Sequence, residues 1–215
     1  MADDDIVRAG TIILKDLALF NQTVVFFEGQ VDPVIRNAVG DLVQVWSRAR
    51  NWKGETDVSE AFEALWICPS NWEEDEEKPF ATFSFCYEDG VQTNSYPIAD
   101  LFGVGESRFG FRFQPEYSWF GGKSAWNTAV KTMADQIQKI SNTGWIYEDK
   151  GVFFLPAVMD FTFLVTAWEN EDWSKALSPL TEAVNKIEAD IRLFETIIRK
   201  AMPKTSTAAN SALGK

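Results

Sequence analysis

Hydrophobic positions recur with helical spacing at both ends of the chain and alternate in its middle. Near the N-terminus, apolar residues repeat along one face of a predicted helix that spans residues 4 to 20. They are Ile6, Ile13, Leu17 and Phe20. Asp32-Pro33, a cap followed by proline, predicts that a second helix begins there and runs to about Arg50. The short stretch over residues 23 to 27 fits either a continuation of the first helix or a strand.

The middle of the chain has the two-residue alternation of a sheet with one buried face. Residues 80 to 87 alternate, and residues 108 to 114 do so more strictly, with three phenylalanines on one side. Asp149-Lys150-Gly151 indicates a hairpin turn. Further strands are predicted at residues 64 to 68, 145 to 147, 152 to 155 and 158 to 168.

Two more helices are predicted, and the last has the most regular pattern in the chain. The first spans residues 124 to 140, and the second runs from Ser178-Pro179 to about Met202. The apolar stripe of the second follows spacings of four and three: Leu180, Val184, Ile187, Ile191, Phe194 and Ile198. Such a stripe either packs across the sheet of its own chain or pairs two chains as a coiled coil. We expect packing within the chain.

Together these elements predict an α+β fold in one domain over residues 1 to 202. An antiparallel sheet of about five or six strands packs with helices, of which two are N-terminal and one is a long C-terminal helix. Residues 203 to 215 lack hydrophobic periodicity, and we expect them to form a disordered tail.

The composition excludes several chemistries. The chain of 215 residues has no histidine, so a Ser-His-Asp or Cys-His catalytic arrangement is excluded. Two cysteines, Cys68 and Cys86, are too few for a four-cysteine zinc site or an iron–sulfur cluster. The first residues lack the pattern of a signal peptide, so we expect free thiols in a cytoplasmic protein. No cofactor is implied.

Charge is concentrated in one part of the chain. Residues 55 to 107 hold thirteen acids and one base, Lys78, and account for the whole net charge of −12. Within this segment five consecutive acids form a loop between two predicted strands: Glu73, Glu74, Asp75, Glu76 and Glu77. The run is either a solvated loop that keeps the protein soluble or a docking surface for a basic partner. It lacks the regular ligand spacing and the glycine of calcium loops.

Aromatic residues beside the acidic run are candidates for the same surface. Trp72 precedes the run directly, and Tyr117, Trp119 and Phe120 lie in a loop flanked by proline and glycine. Exposed aromatics at a charged rim are typical of interface hot spots. Direct binding to DNA or RNA is disfavoured, because that affinity depends on lysine and arginine.

One weak alternative is catalytic. Metal-dependent phosphodiester cleavage can use carboxylates to hold the cation and a lysine to stabilise developing charge. Glu148 and Lys150 have the Glu-x-Lys spacing that resembles the PD-(D/E)XK nucleases, and Asp100 could supply an upstream acid. The resemblance implies a metal-dependent nuclease or hydrolase, but here the pattern ends at a turn rather than inside a strand.

The function expected from the sequence is therefore a non-enzymatic interaction module of the inhibitor, immunity or nucleic-acid-mimic type. Its acidic segment, residues 55 to 77, would dock on a basic partner such as a nucleic-acid-binding protein, without contacting nucleic acid or a membrane directly. The alternatives are the carboxylate-based hydrolase and a structural subunit that self-assembles through its C-terminal helix.

Overall fold

A computed structural model describes residues 2–72, 78–88 and 94–203. These residues contain one antiparallel sheet of six strands in the order β1-β2-β3-β4-β6-β5. The strands are β1 (Trp52–Glu55), β2 (Trp66–Pro69), β3 (Ala81–Tyr87), β4 (Phe109–Pro115), β5 (Ile146–Asp149) and β6 (Val152–Pro156). The α+β class with its long C-terminal helix is confirmed.

Helices precede the sheet, interrupt it and follow it. They are α1 (Ala2–Lys15), α2 (Leu17–Phe26), α3 (Asp32–Ala49), α4 (Pro97–Leu101), α5 (Lys123–Val130), α6 (Ala134–Ser141), α7 (Leu164–Asn170) and α8 (Ser178–Ala201). Helix α8 contacts α3, α5 and α6. Its apolar stripe is buried apart from the half-buried Ile191, which confirms that the stripe packs within the chain.

The core is built from aromatic rings between the central strands and α8. Phe83 of β3 and Phe113 of β4 are opposite each other in the register of the sheet, with ring centroids 5.6 Å apart. Phe194 of α8 stands edge-on to Phe83 at 5.2 Å and lies 4.7 Å from Phe113. The alternation of β3 and β4 therefore serves to present a row of rings to one long helix.

The predicted first helix is broken into two. Helix α1 ends at Lys15, and the side chain of Asp16 accepts a hydrogen bond from the amide of Leu19, which starts α2 as a separate helix. The helical segments on either side of this break, Ile6–Lys15 and Leu17–Ala49, meet at an angle of 90°. Helix α2 then continues through a π-helical turn, Phe27–Val31, into α3, so residues 23 to 27 are helical. The cap at Asp16 therefore breaks the helix, although the apolar repeat continues through this position.

Two other expectations for the later part of the chain are wrong in detail. The helix predicted over residues 124 to 140 is divided between α5 and α6. The strand predicted over residues 158 to 168 is instead a 3-10 turn, Phe161–Phe163, followed by α7. The Asp160 carboxylate accepts hydrogen bonds from the amide and the hydroxyl of Thr162, and this cap opens the turn. Sequence alternation did not reveal the competing side-chain cap.

Strand β1 was not predicted, since it holds a single apolar residue and forms an edge of the sheet. The hairpin between β5 and β6 is confirmed. Lys150 and Gly151 both have positive φ, 47° and 78°, as the tightest hairpin turns require. The tryptophan of α5 secures this turn, because the Nε1–H of Trp126 donates to the Lys150 carbonyl at 2.6 Å.

In the part of the chain that the structure describes, no single helix is both long and apolar enough to cross a bilayer. The bent pair of helices formed by Ile6–Lys15 and Leu17–Ala49 meets that criterion of length and composition only when the two helices are taken together.

Candidate partner-binding site

The acidic run itself, Glu73 to Glu77, lies outside the described residues, as do residues 204 to 215 of the expected tail. The two residues that flank the run are described. Trp72 ends a 3-10 turn after β2, and Lys78 leads into β3. The amide of Phe80 donates to the Trp72 carbonyl at 2.8 Å, so the two flanks are held close together.

Two of the predicted contact residues belong to the core instead. Trp72 is fully buried, with its ring 5.7 Å from Phe83 and 6.3 Å from Phe113. Phe120 is 2% exposed and packs on Trp126 at 4.5 Å. Neither side chain can contact a partner in this conformation. Proximity to charge along the chain did not indicate exposure, because a sheet this rich in aromatics takes neighbouring rings into its core.

Trp119 and Tyr117 remain half-buried at the surface. The indole N–H of Trp119 donates to the carbonyl of Lys78 at 2.8 Å, and its ring stands edge-on to Phe80 at 4.9 Å. Trp119 therefore lies against Lys78, the residue that follows the acidic run. Tyr117 lies near Lys123, whose ammonium is 5.8 Å from the ring centroid. The structure thus brings one of the four predicted aromatics to the base of the run.

Four further acids form an exposed loop that starts at the edge strand β1. This acidic loop spans residues 55 to 63, and all its carboxylates point to solvent: Glu55, Asp57, Glu60 and Glu63. No basic residue interrupts the loop. In the sequence, the acidic loop is indicated only by the net charge, which lies entirely within residues 55 to 107. The charge pattern did not predict which of these acids belong to the site.

The acidic loop is fixed to the body of the protein by its apolar residues. Val58 and Phe62 are buried. The guanidinium of Arg36, on α3, donates to the Val58 carbonyl at 3.3 Å and lies 4.5 Å from the Phe62 ring centroid. The same guanidinium pairs with Asp32 at 2.6 Å. A loop that is anchored in this way presents its carboxylates with little conformational freedom left to lose on binding.

Local hydrogen bonds keep the acidic loop in shape. A carboxylate oxygen of Glu55 accepts from the amides of Thr56 and Asp57, both at 2.8 Å. Asp57 accepts from the Ser59 amide at 2.9 Å, and its hydrogen bonds with Ser59 lower the pKa of the carboxyl group. The Asp57 carboxylate is therefore ionised at neutral pH.

A groove of about 290 Å³ separates the acidic loop from α3. Three exposed acids line it, namely Glu55 and Asp57 from the loop and Asp41 from α3. The single base on its wall, Arg36, is buried and paired with Asp32. Helix α3 and the acidic loop approach each other closely at Gly40, because a Cβ atom added there would come within 2.5 Å of the Thr56 carbonyl oxygen. The groove is therefore narrow, acidic and open to solvent, which suits the end of a lysine or arginine side chain.

The residues of the catalytic alternative are engaged in structural contacts. Asp100 is fully buried in α4, and its carboxylate accepts from the Ser107 amide at 2.8 Å. Lys150 lies at the hairpin turn and pairs with its neighbour Asp149 at 2.9 Å. Among the described residues, no group of three acidic or cysteine side chains is arranged to hold a metal ion.

Glu148, the third of these residues, forms a two-point ion pair with Arg112. Two nitrogens of the Arg112 guanidinium, Nε and Nη2, each donate to one carboxylate oxygen of Glu148 at 2.8 Å. Arg112 also donates to the Tyr87 carbonyl at 3.0 Å and to the Glu88 carbonyl. Because Arg112 is only 8% exposed, β4 is buried on both faces here, rather than on one face as its alternation predicted.

Cys86 contacts this ion pair, and we expect its thiol to react slowly. Burial raises the pKa of Cys86 to about 11, although the nearby Arg112 guanidinium opposes the rise. Because the thiolate is the reactive form, alkylation by iodoacetamide at pH 8 should be about 100-fold slower in the folded protein than in the unfolded chain. Mass spectrometry of the Cys86 peptide measures both rates, and equal rates would contradict the burial.

The raised pKa of Cys86 also predicts that the stability of the protein falls at high pH. The folded pKa of Cys86 lies above its ordinary value of 9.0, so its contribution to stability is complete below pH 9.0 and is lost as the pH rises through about 11. The free energy of unfolding of the native protein should therefore fall more steeply over that interval than that of Cys86→Ala.

Comparison with protein-family models, with curated proteins and with solved structures returned no match to this chain.

Proposed function

We propose that this protein is a non-enzymatic interaction module that docks its acidic segment, residues 55 to 77, on a basic surface of a partner protein. The observation that carries the proposal is the anchored acidic loop, which presents four carboxylates and no base next to an acid-lined groove. Such a module would serve as an inhibitor, an immunity protein or a mimic that occupies a nucleic-acid-binding site.

Electrostatics supports this function in two ways. Residues 55 to 77 hold nine acids and no base, and such a concentration of negative charge steers a basic partner to this segment. The groove between Asp41 and the acidic loop then offers a place where one basic side chain of the partner can be enclosed by three carboxylates. Free thiols at Cys68 and Cys86 support a reducing, cytoplasmic setting for this binding.

The proposal is tested by capture from a lysate of the source cells, with mass spectrometry of the retained proteins. The loop variant carries Glu55→Gln, Asp57→Asn, Glu60→Gln and Glu63→Gln, which keep the acceptor oxygens that the loop uses. We expect the native protein to retain a basic protein at about 50 mM salt and to release it at about 300 mM. The loop variant should lose most of that protein even at the lower salt.

The matched control removes four exposed carboxylates elsewhere: Asp135→Asn, Glu169→Gln, Glu171→Gln and Glu182→Gln. It changes the net charge by the same amount and should still retain the partner. Retention of the same protein by the loop variant, or retention of no protein by the native chain, would contradict the proposed function.

A further inference from the structure

The N-terminal helices expose an unusual amount of apolar surface. Ten large apolar side chains of α1 and α2 are more than one-third exposed: Ile6, Val7, Ile12, Ile13, Leu14, Leu17, Leu19, Phe20, Val25 and Phe26. Helix α2 has no buried residue and no charged one. An α-helix that is hydrophobic on all sides is normally buried. We call α1 and α2 the apolar arm.

The apolar surface continues from the arm onto the body of the protein. The ring of Phe26, at the end of α2, meets Trp168 of α7 edge-on at a centroid distance of 6.3 Å. Three more exposed apolar residues lie in the same segment as Trp168: Phe161, Phe163 and Val165. The arm and α7 therefore form one continuous patch.

The size of the patch matches an interface. A fully exposed aliphatic or aromatic side chain presents roughly 150 to 200 Å², so the ten residues of the arm expose on the order of 1,000 Å². The largest apolar patch of a typical monomer covers about 300 to 600 Å². A stable protein interface buries about 800 Å² on each partner. The arm thus has the area that one side of a stable dimer needs.

The remaining segments of this sequence carry too little apolar surface to cover the arm. Residues 73 to 77 are all acidic, residues 89 to 93 contain one large apolar residue, Val91, and residues 204 to 215 also contain one, Leu213. None of these segments can therefore cover the arm.

We propose that a second copy of this chain covers the apolar arm and forms a twofold symmetric dimer. The stripe of α1 is suited to pairing with itself. Ile6 and Ile13 lie seven residues apart on one face, with the small residues Ala9 and Gly10 midway between them. If two α1 helices cross in antiparallel fashion at that point, Ile6 of each copy meets Ile13 of the other, and the small residues allow a close approach.

Charge favours a second copy over a lipid surface. Helices that lie on membranes carry lysine and arginine on their polar face. Residues 2 to 31 contain five acids and two bases, Arg8 and Lys15, and the whole chain has a net charge of −12. Two copies do not repel each other through α2, because that helix is uncharged. The acidic loop shares no residue with the arm, so this inference and the proposed function can fail separately.

The test is the mass of the full chain in solution, measured by light scattering at micromolar concentrations and above. We expect about twice the chain mass of 24.3 kDa. The double variant Ile6→Asp and Ile13→Asp alters only exposed positions and should fall to the mass of one chain with an unchanged far-UV spectrum. The matched control, Val45→Asp with Val104→Asp, alters residues of similar exposure outside the arm and should stay a dimer.

Three results would overturn the inference. The first is a native protein with the mass of one chain throughout the concentration range. The second is a dimer that persists in the Ile6→Asp and Ile13→Asp variant. The third is a native monomer that floats with vesicles of phosphatidylcholine and phosphatidylserine, which would assign the arm to a lipid surface.

Discussion

Replacing Phe194 by alanine should destabilise the protein by about 3 to 5 kcal/mol, the largest effect that we expect from a single core substitution. The ring of Phe194 is fully buried where α8 crosses the sheet. It contacts rings from four separate parts of the chain, with centroids 4.7 to 5.7 Å apart: Phe83, Phe113, Trp145 and Phe153. No neighbour can fill the space without giving up its own contacts. Urea unfolding followed by far-UV circular dichroism measures the change.

Phe161→Ala is the matched control for this prediction. The same atoms are removed, but the side chain is 52% exposed, so the change in the free energy of unfolding should be below about 1 kcal/mol. If the two variants lost equal stability, Phe194 would not be the centre of the core.

The second large effect is expected at the ion pair between the buried Arg112 and the partly buried Glu148. Glu148→Gln should cost about 3 kcal/mol, because it removes the charge that neutralises Arg112 while the guanidinium stays buried. The side chain of Arg112 is 10% exposed and that of Glu148 is 28% exposed. The loss should be largely restored in the double variant Arg112→Met with Glu148→Leu, since a buried pair replaced by apolar residues is often close to neutral.

An exposed ion pair provides the comparison. Arg50 and Glu188 are 2.7 Å apart, but their side chains are 33% and 44% exposed. Glu188→Gln should therefore cost no more than about 1 kcal/mol. Thermal and urea unfolding of both glutamine variants measure the difference, and a Glu148→Gln protein as stable as Glu188→Gln would show that Arg112 does not depend on its partner.

The elements with the most regular hydrophobic spacing could be predicted from sequence alone. Helix α8 keeps its four-and-three spacing for its whole length, and the structure buries that stripe. The strict alternation of residues 108 to 114 likewise became β4. Hydrophobic spacing is a property of many residues at once, so it is most informative where it continues without interruption over a whole element.

The errors have a common physical cause. Single side chains, Asp16 and Asp160, cap backbone amides and redirect the chain where the hydrophobic pattern alone would let it continue. Strand β1 had no pattern to detect, because an edge strand of four residues is defined by its pairing with β2. Caps and edge pairing depend on one or two residues, so averaging over a window hides them.

The candidate site was predictable as a region but not residue by residue. Net charge located the segment from residue 55 onward, whereas the exposure of each aromatic depended on the packing of the sheet. Trp72 and Trp119 were both candidates for the exposed surface beside the acidic run, yet one is fully buried and the other is half-buried beside Lys78. Burial is decided by contacts that are distant in sequence.

The surface for self-assembly also differs from the expectation. The C-terminal helix was the sequence candidate for joining two chains, and its stripe is used inside the chain. The first helix was predicted only to have an apolar face, and the structure leaves that face exposed. Periodicity identifies an apolar face but not what covers it.

The most direct test of the central claim is an NMR titration of the labelled protein with a nona-arginine peptide, at about 50 and about 300 mM salt. The peptide represents the basic surface of a partner. We predict that the largest amide shifts fall within residues 55 to 77 and on Asp41 beside the groove, that they shrink at the higher salt, and that the loop variant removes those of residues 55 to 63. Shifts spread evenly over all exposed acids, or largest outside residues 55 to 77 and Asp41, would contradict a docking surface built from the acidic segment.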